Sequence, residues 1–405
     1  MTQVLDVFLH EEKIGTLTLL PNDTTLFSFE ETYINDSNRA TLSQSFIRPE
    51  SGELITDTRP YRQKLPPFFS NLLPEGRMRE YLAQRGGVKQ EREFFLLRLL
   101  GDDLAGAITV RDSGGGGART AQEAIEHKSE TAGTYHFSLA GVQLKFSALM
   151  RQGGLTIPAH GVGGDWIVKL PSAQFAHVPE TEYAMMQLAQ KIGIEVPETQ
   201  LIPIENITGL PDLGVLQGKQ ALAVKRFDRT KNGAIHIEDF AQVYTVFPDE
   251  KYAKAGYKSI ANMVWTLTGE AGLSEFISRL TFSILTGNGD MHLKNWSFIY
   301  PDKKMPHLSP AYDLVSTIPY IPEDGLALKF LDTKDMGDIT LASFERLARK
   351  AELPTSVVLN AVKQTVEKTR TGWESNKSHY DLPADIRKRI DAHIAGLALK
   401  SGDAL

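Results

Sequence analysis

The stretch Asn288-Gly289-Asp290-Met291-His292-Leu293-Lys294-Asn295, followed after a hairpin-length gap by Ala311-Tyr312-Asp313, decides how this chain is read. An Asp, an Asn five residues later and a second Asp beyond a turn form the catalytic layout of kinases. In that layout Asp290 orients and deprotonates an attacking hydroxyl. Asn295 and Asp313 would hold Mg²⁺ on the phosphates of ATP.

The flanks support this reading. Upstream, Phe276, Leu280 and Ile284 recur every four residues, and Ile277 reinforces the same face, so a buried helix is expected to end at Gly287-Asn288-Gly289. Downstream, Trp296, Phe298 and Tyr300 alternate with Ser297 and Ile299, Pro301-Asp302-Lys303-Lys304 reads as a turn, and His307 to Tyr312 returns. In an antiparallel hairpin whose facing residue numbers sum to about 608, Asn295 and Asp313 lie side by side and can reach one metal ion. Asp and Asn are also common in surface turns, where they bond the local backbone. The buried helix before them and the returning strand after them favour the metal-binding reading.

Three upstream elements fall in the order a two-lobed kinase requires. Phe137-Ser138-Leu139-Ala140-Gly141-Val142-Gln143-Leu144-Lys145 is a small-residue loop before a β-hairpin. Backbone N–H groups at Ala140, Gly141 and Val142 could approach phosphate oxygens there, with Lys145 adding charge. It matches neither a P-loop nor G-x-G-x-x-G, and Ala-Gly loops are common between strands. Lys169 sits on the apolar strand Trp166 to Leu170. A kinase needs one such lysine for the α- and β-phosphates, positioned by a helix carboxylate, and either Glu180 or Glu182 can serve. A strand lysine can equally snorkel to solvent. Val224-Lys225-Arg226-Phe227-Asp228-Arg229 is an extended connector on which backbone groups could meet an adenine edge; an edge strand with a charged end looks the same.

The chain has 405 residues, with 41% apolar and 23% charged side chains, which suits a globular protein of two or three domains. A net charge of −6 argues against coating nucleic acid through a global field. There is no cysteine, so thiolate chemistry, disulfides and Cys-based zinc sites are excluded. The N-terminus lacks a signal-peptide layout, and the apolar runs fall short of the about 20 residues that span a bilayer. A soluble, cytoplasmic protein without membrane contact is expected. The pattern predicts a mixed α/β unit over 1–112, with strands to about residue 60 and helices near Arg77–Gln84 and Gln90–Leu100. A Gly-rich flexible linker follows over 113–133. A β-rich lobe with the phosphate loop and the ATP lysine is expected over 134–245, and a mainly helical lobe with the catalytic loop over 246–405.

Together these motifs resemble the HipA serine/threonine kinases, the toxin halves of bacterial HipBA toxin–antitoxin modules. The resemblance rests on Phe68 to Gly76, Ser138 to Lys145, Ile167 to Pro171, Arg226 to Arg229, Glu238 to Gln242, Gly289 to Asn295 and Leu308 to Ser316. It implies an α+β fold: a two-lobed protein-kinase-like body, an additional N-terminal mixed α/β subdomain and an all-helical C-terminal lobe. It also implies roles. Asp290 matches the catalytic aspartate, Asn295 and Asp313 the Mg²⁺ ligands, and Lys169 the ATP-phosphate lysine. Lys225 to Phe227 match the adenine connector, and Gln242 and His292 match nucleotide-pocket positions. Ser138 matches the serine such kinases autophosphorylate, and a dianion there would repel ATP phosphates. Asp313 is followed by Leu314-Val315 rather than Phe-Gly, and no His-Arg-Asp or Ala-Pro-Glu motif is present, so regulation through an activation segment is not expected.

The implied function is an ATP- and Mg²⁺-dependent protein kinase acting as a toxin on a translation factor such as an aminoacyl-tRNA synthetase. Its partner would be a small helix-turn-helix antitoxin repressor, with DNA reached mainly through that partner. Two other readings remain. Gly289-Asp290-x-His292-x-x-Asn295 also resembles the loops of aminoglycoside phosphotransferases and phosphoinositide-type kinases, hence a small-molecule or lipid kinase. A catalytically silent antitoxin-binding corepressor would have no need of Lys169, Asp290, Asn295 and Asp313 together.

Overall fold

Alternation of apolar side chains along Gln3–Leu9 starts the first sheet. Leu5, Val7 and Leu9 are buried, and each intervening residue faces the other side. This computed structural model describes residues 3–114, 144–151, 154–157, 164–210 and 214–399; Ser138, Ala140, Gly141, Val142 and most of the expected linker lie outside them.

Strands β1 (Gln3–Leu9), β2 (Glu12–Leu19), β3 (Thr24–Phe29), β4 (Tyr61–Arg62) and β5 (Ile108–Asp112) form an antiparallel sheet in the order β4-β3-β2-β1-β5. The expected run of strands breaks after Phe29 and resumes only at β4. Helix α1 (Glu31–Asn35) and loops follow, because Glu30-Glu31, Asn35-Asp36, Pro49 and Gly52 interrupt the alternation. Helices α2 (Pro67–Ser70), α3 (Gly76–Arg85) and α4 (Glu93–Leu100) complete this unit. Phe68, Phe69, Leu96 and Leu97 close its core against Leu17 and Phe27.

The second sheet contains β6 (Lys145–Arg151), β7 (Gly154–Thr156), β8 (Trp166–Lys169), β9 (Thr199–Pro203), β10 (Ile207–Thr208) and β11 (Gln220–Lys225), in the order β10-β7-β6-β8-β11-β9. Helix α5 (Val178–Ile192) packs against β9 and β11. Trp166, Val168, Leu170, Ala221 and Ala223 belong to the core of this sheet. A short ribbon of β12 (Arg229–Thr230) and β13 (Gly233–Ala234) leads to β14 (His236–Asp239) and the four-residue helix α6 (Phe240–Val243).

Helix α7 (Tyr257–Thr286) runs through the centre of the helical part and carries a kink at Gly269, where φ is 66°. Phe276, Ile277, Leu280 and Ile284 are fully buried. Strands β15 (Ser297–Tyr300) and β16 (His307–Leu308) follow, then helices α8 (Leu341–Lys350), α9 (Thr355–Asn376) and α10 (Ala384–Gly396); α9 packs against α7, α8 and α5, and α10 against α7. β15 lies between β14 and β16 and is buried on both faces. Among the described residues no helix is long and apolar enough to cross a membrane.

The N-terminal unit docks on this body through polar groups at several places. Arg226 pairs with Asp103 at 2.8 Å and with Asp228 at 2.9 Å, and Arg229 donates to the Leu104 carbonyl at 2.7 Å. Farther along, the buried Glu238 accepts from the Ser43 hydroxyl, the Gln44 N–H and the Tyr300 hydroxyl.

Candidate active site

The C-terminal end of α7 sets the catalytic loop. Gly287 terminates the helix in the left-handed region at φ 68°, ψ 46°. The next residue, Asn288, is buried and bonds in two directions: its Oδ1 accepts the Asp290 N–H at 3.0 Å, and its Nδ2 donates to the Asp313 carbonyl at 3.4 Å. Asn288 therefore holds the two acidic segments at a common distance. Gly289 N–H donates to Thr317 Oγ1 at 2.9 Å, which anchors the loop on the segment after Asp313.

Asp290 stands half-exposed, with Tyr252 donating to its Oδ1 at 2.7 Å. Desolvation raises its carboxyl above the ordinary value, against the Tyr252 hydrogen bond and the charge of Lys251. His292 lies beneath it, with Nε2 3.9 Å from Asp290 Oδ1. Burial, followed by the nearby Lys251 charge, pushes the imidazole down to about 3, so it is neutral. Its Nδ1 is buried and has no hydrogen-bond partner among the described residues.

Asn295 closes a short 3-10 turn and donates its amide to the Asp290 carbonyl at 2.8 Å. That bond commits Nδ2 and leaves Oδ1 as the group for a cation. Asp313, in the left-handed region at φ 54°, supplies a carboxylate. An amide oxygen and a carboxylate are the hard donors that suit Mg²⁺.

The lysine on β8 answers a choice that sequence alone left open. Lys169 is buried and its Nζ bridges Glu182 and Asp313. Glu180 turns instead toward His177, 3.6 Å away. Burial opposes the charge on Lys169, but the two carboxylates outweigh it and hold the ammonium protonated. Lys145 on β6 reaches the other Asp313 oxygen at 2.8 Å. Burial likewise works against ionised Asp313, and the two lysines overcome it, holding this carboxyl far below the usual range. β6, β8, α5 and the catalytic segment thus converge on one cluster, Lys145, Lys169, Glu182 and Asp313, which Asn288 ties to the loop of Asp290 and Asn295.

Three expectations need correction. The hairpin pairs Phe298 with Leu308 and Ile299 with His307, a sum of 606 rather than 608, and Asn295 lies in the turn before the ladder. Pro306 and Pro310 keep β16 to two residues, so Asp313 reaches the cleft through its own left-handed turn and not through strand pairing. Lys225 points out of the cleft: its side chain is half exposed, pairs with Glu198 at 3.3 Å and lies 5.9 Å over the Trp166 ring. The N–H groups of Lys225 and Arg226 are taken by the carbonyls of Glu198 and Asp165. Phe227 is the connector residue facing the site, with its ring 5.8 Å from Tyr312. Gln242 caps α6, accepting from Asp239 N–H at 2.8 Å and donating to the Phe68 carbonyl at 3.0 Å. Both ends of its amide are engaged within the protein, and the side chain is buried.

Sequence reasoning missed the residues that grip the loop from outside. Lys294 is largely buried and bonds the Asn71 carbonyl at 2.8 Å, with Glu75 at 3.5 Å and Asp239 at 3.4 Å. A lysine between the buried Leu293 and Asn295 was a signal of the same kind as Lys169 on its apolar strand.

Comparison with known proteins decides the family. The HipA-like C-terminal domain matches residues 137–373, and the HipA N-terminal domain matches residues 5–111. The chain belongs to the HipA family. Among HipA relatives, the Sinorhizobium fredii protein Y4dM is 54% identical over 396 residues, covering 96% of each chain. The serine/threonine-protein kinase toxin HipA of Shewanella oneidensis is 25% identical, covering 89% of this chain and 86% of that one. The solved structure of Shewanella oneidensis MR-1 HipA, in complex with HipB and operator DNA, superposes with a TM-score of 0.71 at 23% identity, covering 97% of this chain and 96% of that one. The fold is the α+β, kinase-like HipA fold, and the chain is of the HipA kinase type.

Proposed function

We propose that this chain is an ATP- and Mg²⁺-dependent serine/threonine protein kinase that acts as the toxin of a toxin–antitoxin pair. The observation that carries the reading is the bridge of Lys169 between Glu182 and Asp313, set beside Asp290 and Asn295. A kinase requires a lysine fixed by a helix glutamate and aimed at the phosphates, and a structural strand lysine would have no reason to meet two carboxylates out of solvent.

Nucleotide phosphates would compete with Asp313 for Lys169 and Lys145, while Glu182 keeps Lys169 in place. Phe227 would border the adenine. Asp290 would take the proton from the acceptor hydroxyl as its oxygen bonds the γ-phosphorus and ADP leaves. Mg²⁺ held by Asp313 and Asn295 would supply neutralising charge on the phosphates. Neutral His292 lines the base side of the cleft and does not compete for the proton.

The acceptor is a translation enzyme of the aminoacyl-tRNA synthetase class, and the work is done in the cytoplasm; both follow from the family resemblance. The partner is a small helix-turn-helix repressor. The Shewanella HipA structure was solved with HipB and operator DNA, and that architecture supports an antitoxin through which this chain reaches DNA. Ser138 is the autophosphorylation site, and phosphate there would repel ATP.

The test is incubation of wild-type and Asp290→Gln chains with ATP and Mg²⁺, read by intact-mass and peptide mass spectrometry. Wild type gains phosphate on Ser138 and the variant gains none. Expression of the wild type arrests growth unless a cognate repressor is supplied. Label on other residues with Ser138 clean would remove that assignment. Phosphate transfer by Asp290→Gln at the wild-type rate would remove the catalytic one.

A further inference from the structure

Among the described residues, the Asp290 carboxylate receives one side-chain hydrogen bond, from the Tyr252 hydroxyl to Oδ1 at 2.7 Å. Both side chains are about half exposed, so burial alone does not fix either of them. What does fix Tyr252 is its surroundings. Its ring meets the edge of His292 with centroids 4.9 Å apart, and the Lys251 ammonium lies 5.5 Å from its own centroid. Lys251 is tied twice: its carbonyl accepts the Leu293 N–H of the catalytic loop at 3.4 Å, and its Nζ pairs with Glu75 at 2.8 Å.

Glu75 comes from the N-terminal unit, just before α3. It sits between Lys251 and Lys294, with the second pair at 3.5 Å, so one carboxylate grips both sides of the loop that carries Asp290. A continuous path therefore runs from the N-terminal unit to the base: Glu75, Lys251, Tyr252, Asp290.

We propose that Tyr252 is the positioning residue of the catalytic base, and that Glu75 acts on the base through Lys251 and Tyr252. This rests on the kinase reading given above. A half-exposed carboxylate is free to turn about its Cβ–Cγ bond. A phenol O–H on Oδ1 stops that rotation and leaves Oδ2 to receive the acceptor proton. A base misplaced by about 1 Å loses up to about a hundredfold in rate. The contact also gives the N-terminal unit a part in catalysis, since its Glu75 holds the residue before the tyrosine.

The test uses the full chain with Mg-ATP, reading ADP release with water and the chain's own serine as acceptors. Tyr252→Phe removes only the hydroxyl. Its kcat is expected to fall by at least about tenfold, with KM for ATP within about twofold of wild type. Glu75→Gln is expected to lower kcat by a smaller factor. The double variant is expected to be slower than Tyr252→Phe by less than the factor Glu75→Gln costs alone, because the two changes share a path while Glu75 also holds the loop through Lys294. Independent structural damage would instead multiply, and would lower the midpoint of thermal unfolding. Glu75→Gln leaves the tyrosine intact, so the path is still read if Tyr252→Phe folds poorly. A Tyr252→Phe kcat within about twofold of wild type, or fully multiplicative effects, overturns the proposal and leaves the kinase reading standing. A wild-type chain that turns over no ATP overturns both.

Discussion

Glu238 is a carboxyl group with no access to solvent, placed between Ser43, Gln44 and Tyr300. Burial pushes it up to about 7, outweighing three hydrogen bonds that favour the anion. The sign follows from linkage. Between pH 4.5, the ordinary value, and about 7, the folded chain keeps a proton here that the unfolded chain has released. The stabilisation is thus full below pH 4.5 and is lost as pH rises through about 7, on the order of 3 kcal/mol in all. Glu238→Gln cannot ionise and should flatten this decline. Urea unfolding at several pH values across that window measures it, and a variant with the wild-type slope would rule the account out. At this scale the sequence was legible where a side chain contradicted its neighbours, as Lys169 does among Ile167, Val168 and Leu170. It was silent between Glu180 and Glu182. Two residues on a helix stand about 200° apart, so one faces the lysine and the other does not. Only the phase of α5 against β8 decides which.

The turn from α7 into the catalytic loop depends on one glycine. At Gly287 the backbone is left-handed, and an added Cβ would lie 2.4 Å from Ile318 Cγ1. Gly287→Ala should therefore cost about 2–3 kcal/mol, from backbone strain together with overpacking. Denaturant unfolding is the measurement, and a loss below about 0.5 kcal/mol would show that the end of the helix shifts freely. The helix and this ending were visible in the four-residue recurrence of Phe276, Leu280 and Ile284 and in Gly287-Asn288-Gly289. The strand after it was visible too, but not its neighbour. β14 pairs with β15 across about sixty residues of chain, and no local pattern announces a partner so distant. The two-residue error in the hairpin register has a similar origin. Pro306 and Pro310 shorten β16, and the turn centres on residue 303 and not on 304.

For the molecule as a whole, the coupling of the N-terminal unit to the rest rests on buried charge. Asp103 meets Arg226 at 2.8 Å and Arg229 at 3.1 Å, and Asp228 accepts the Gly106 N–H at 2.9 Å. Asp103→Ala leaves a buried guanidinium undercompensated and should cost about 3 kcal/mol. All four tryptophans, Trp166, Trp265, Trp296 and Trp373, lie outside the N-terminal unit. Fluorescence therefore follows the body alone, while far-UV circular dichroism follows everything. In the variant the dichroism transition should begin below the fluorescence transition; coincident curves at the wild-type midpoint would refute the coupling. Sequence reading singled out Lys145, Lys169 and Asp313, which the fold brings together. It assigned Lys225 and Gln242 to nucleotide binding because a motif gives position along the chain, not direction in space. In the folded chain Lys225 pairs with Glu198, and the Gln242 amide faces the N-terminal unit.

That docking has a further meaning for a chain made in one direction. Asn71, Glu75, Lys145, Lys169, Glu182 and Tyr252 all precede Asp290, and domains generally fold in order as they leave the ribosome. The receptors for the catalytic loop are therefore in place before the loop is synthesised. The base arrives at residue 290 and the second acid only at residue 313. Any nascent chain shorter than that carries the lysines and their scaffold but no complete site. The machinery stays inert until its own translation is well advanced.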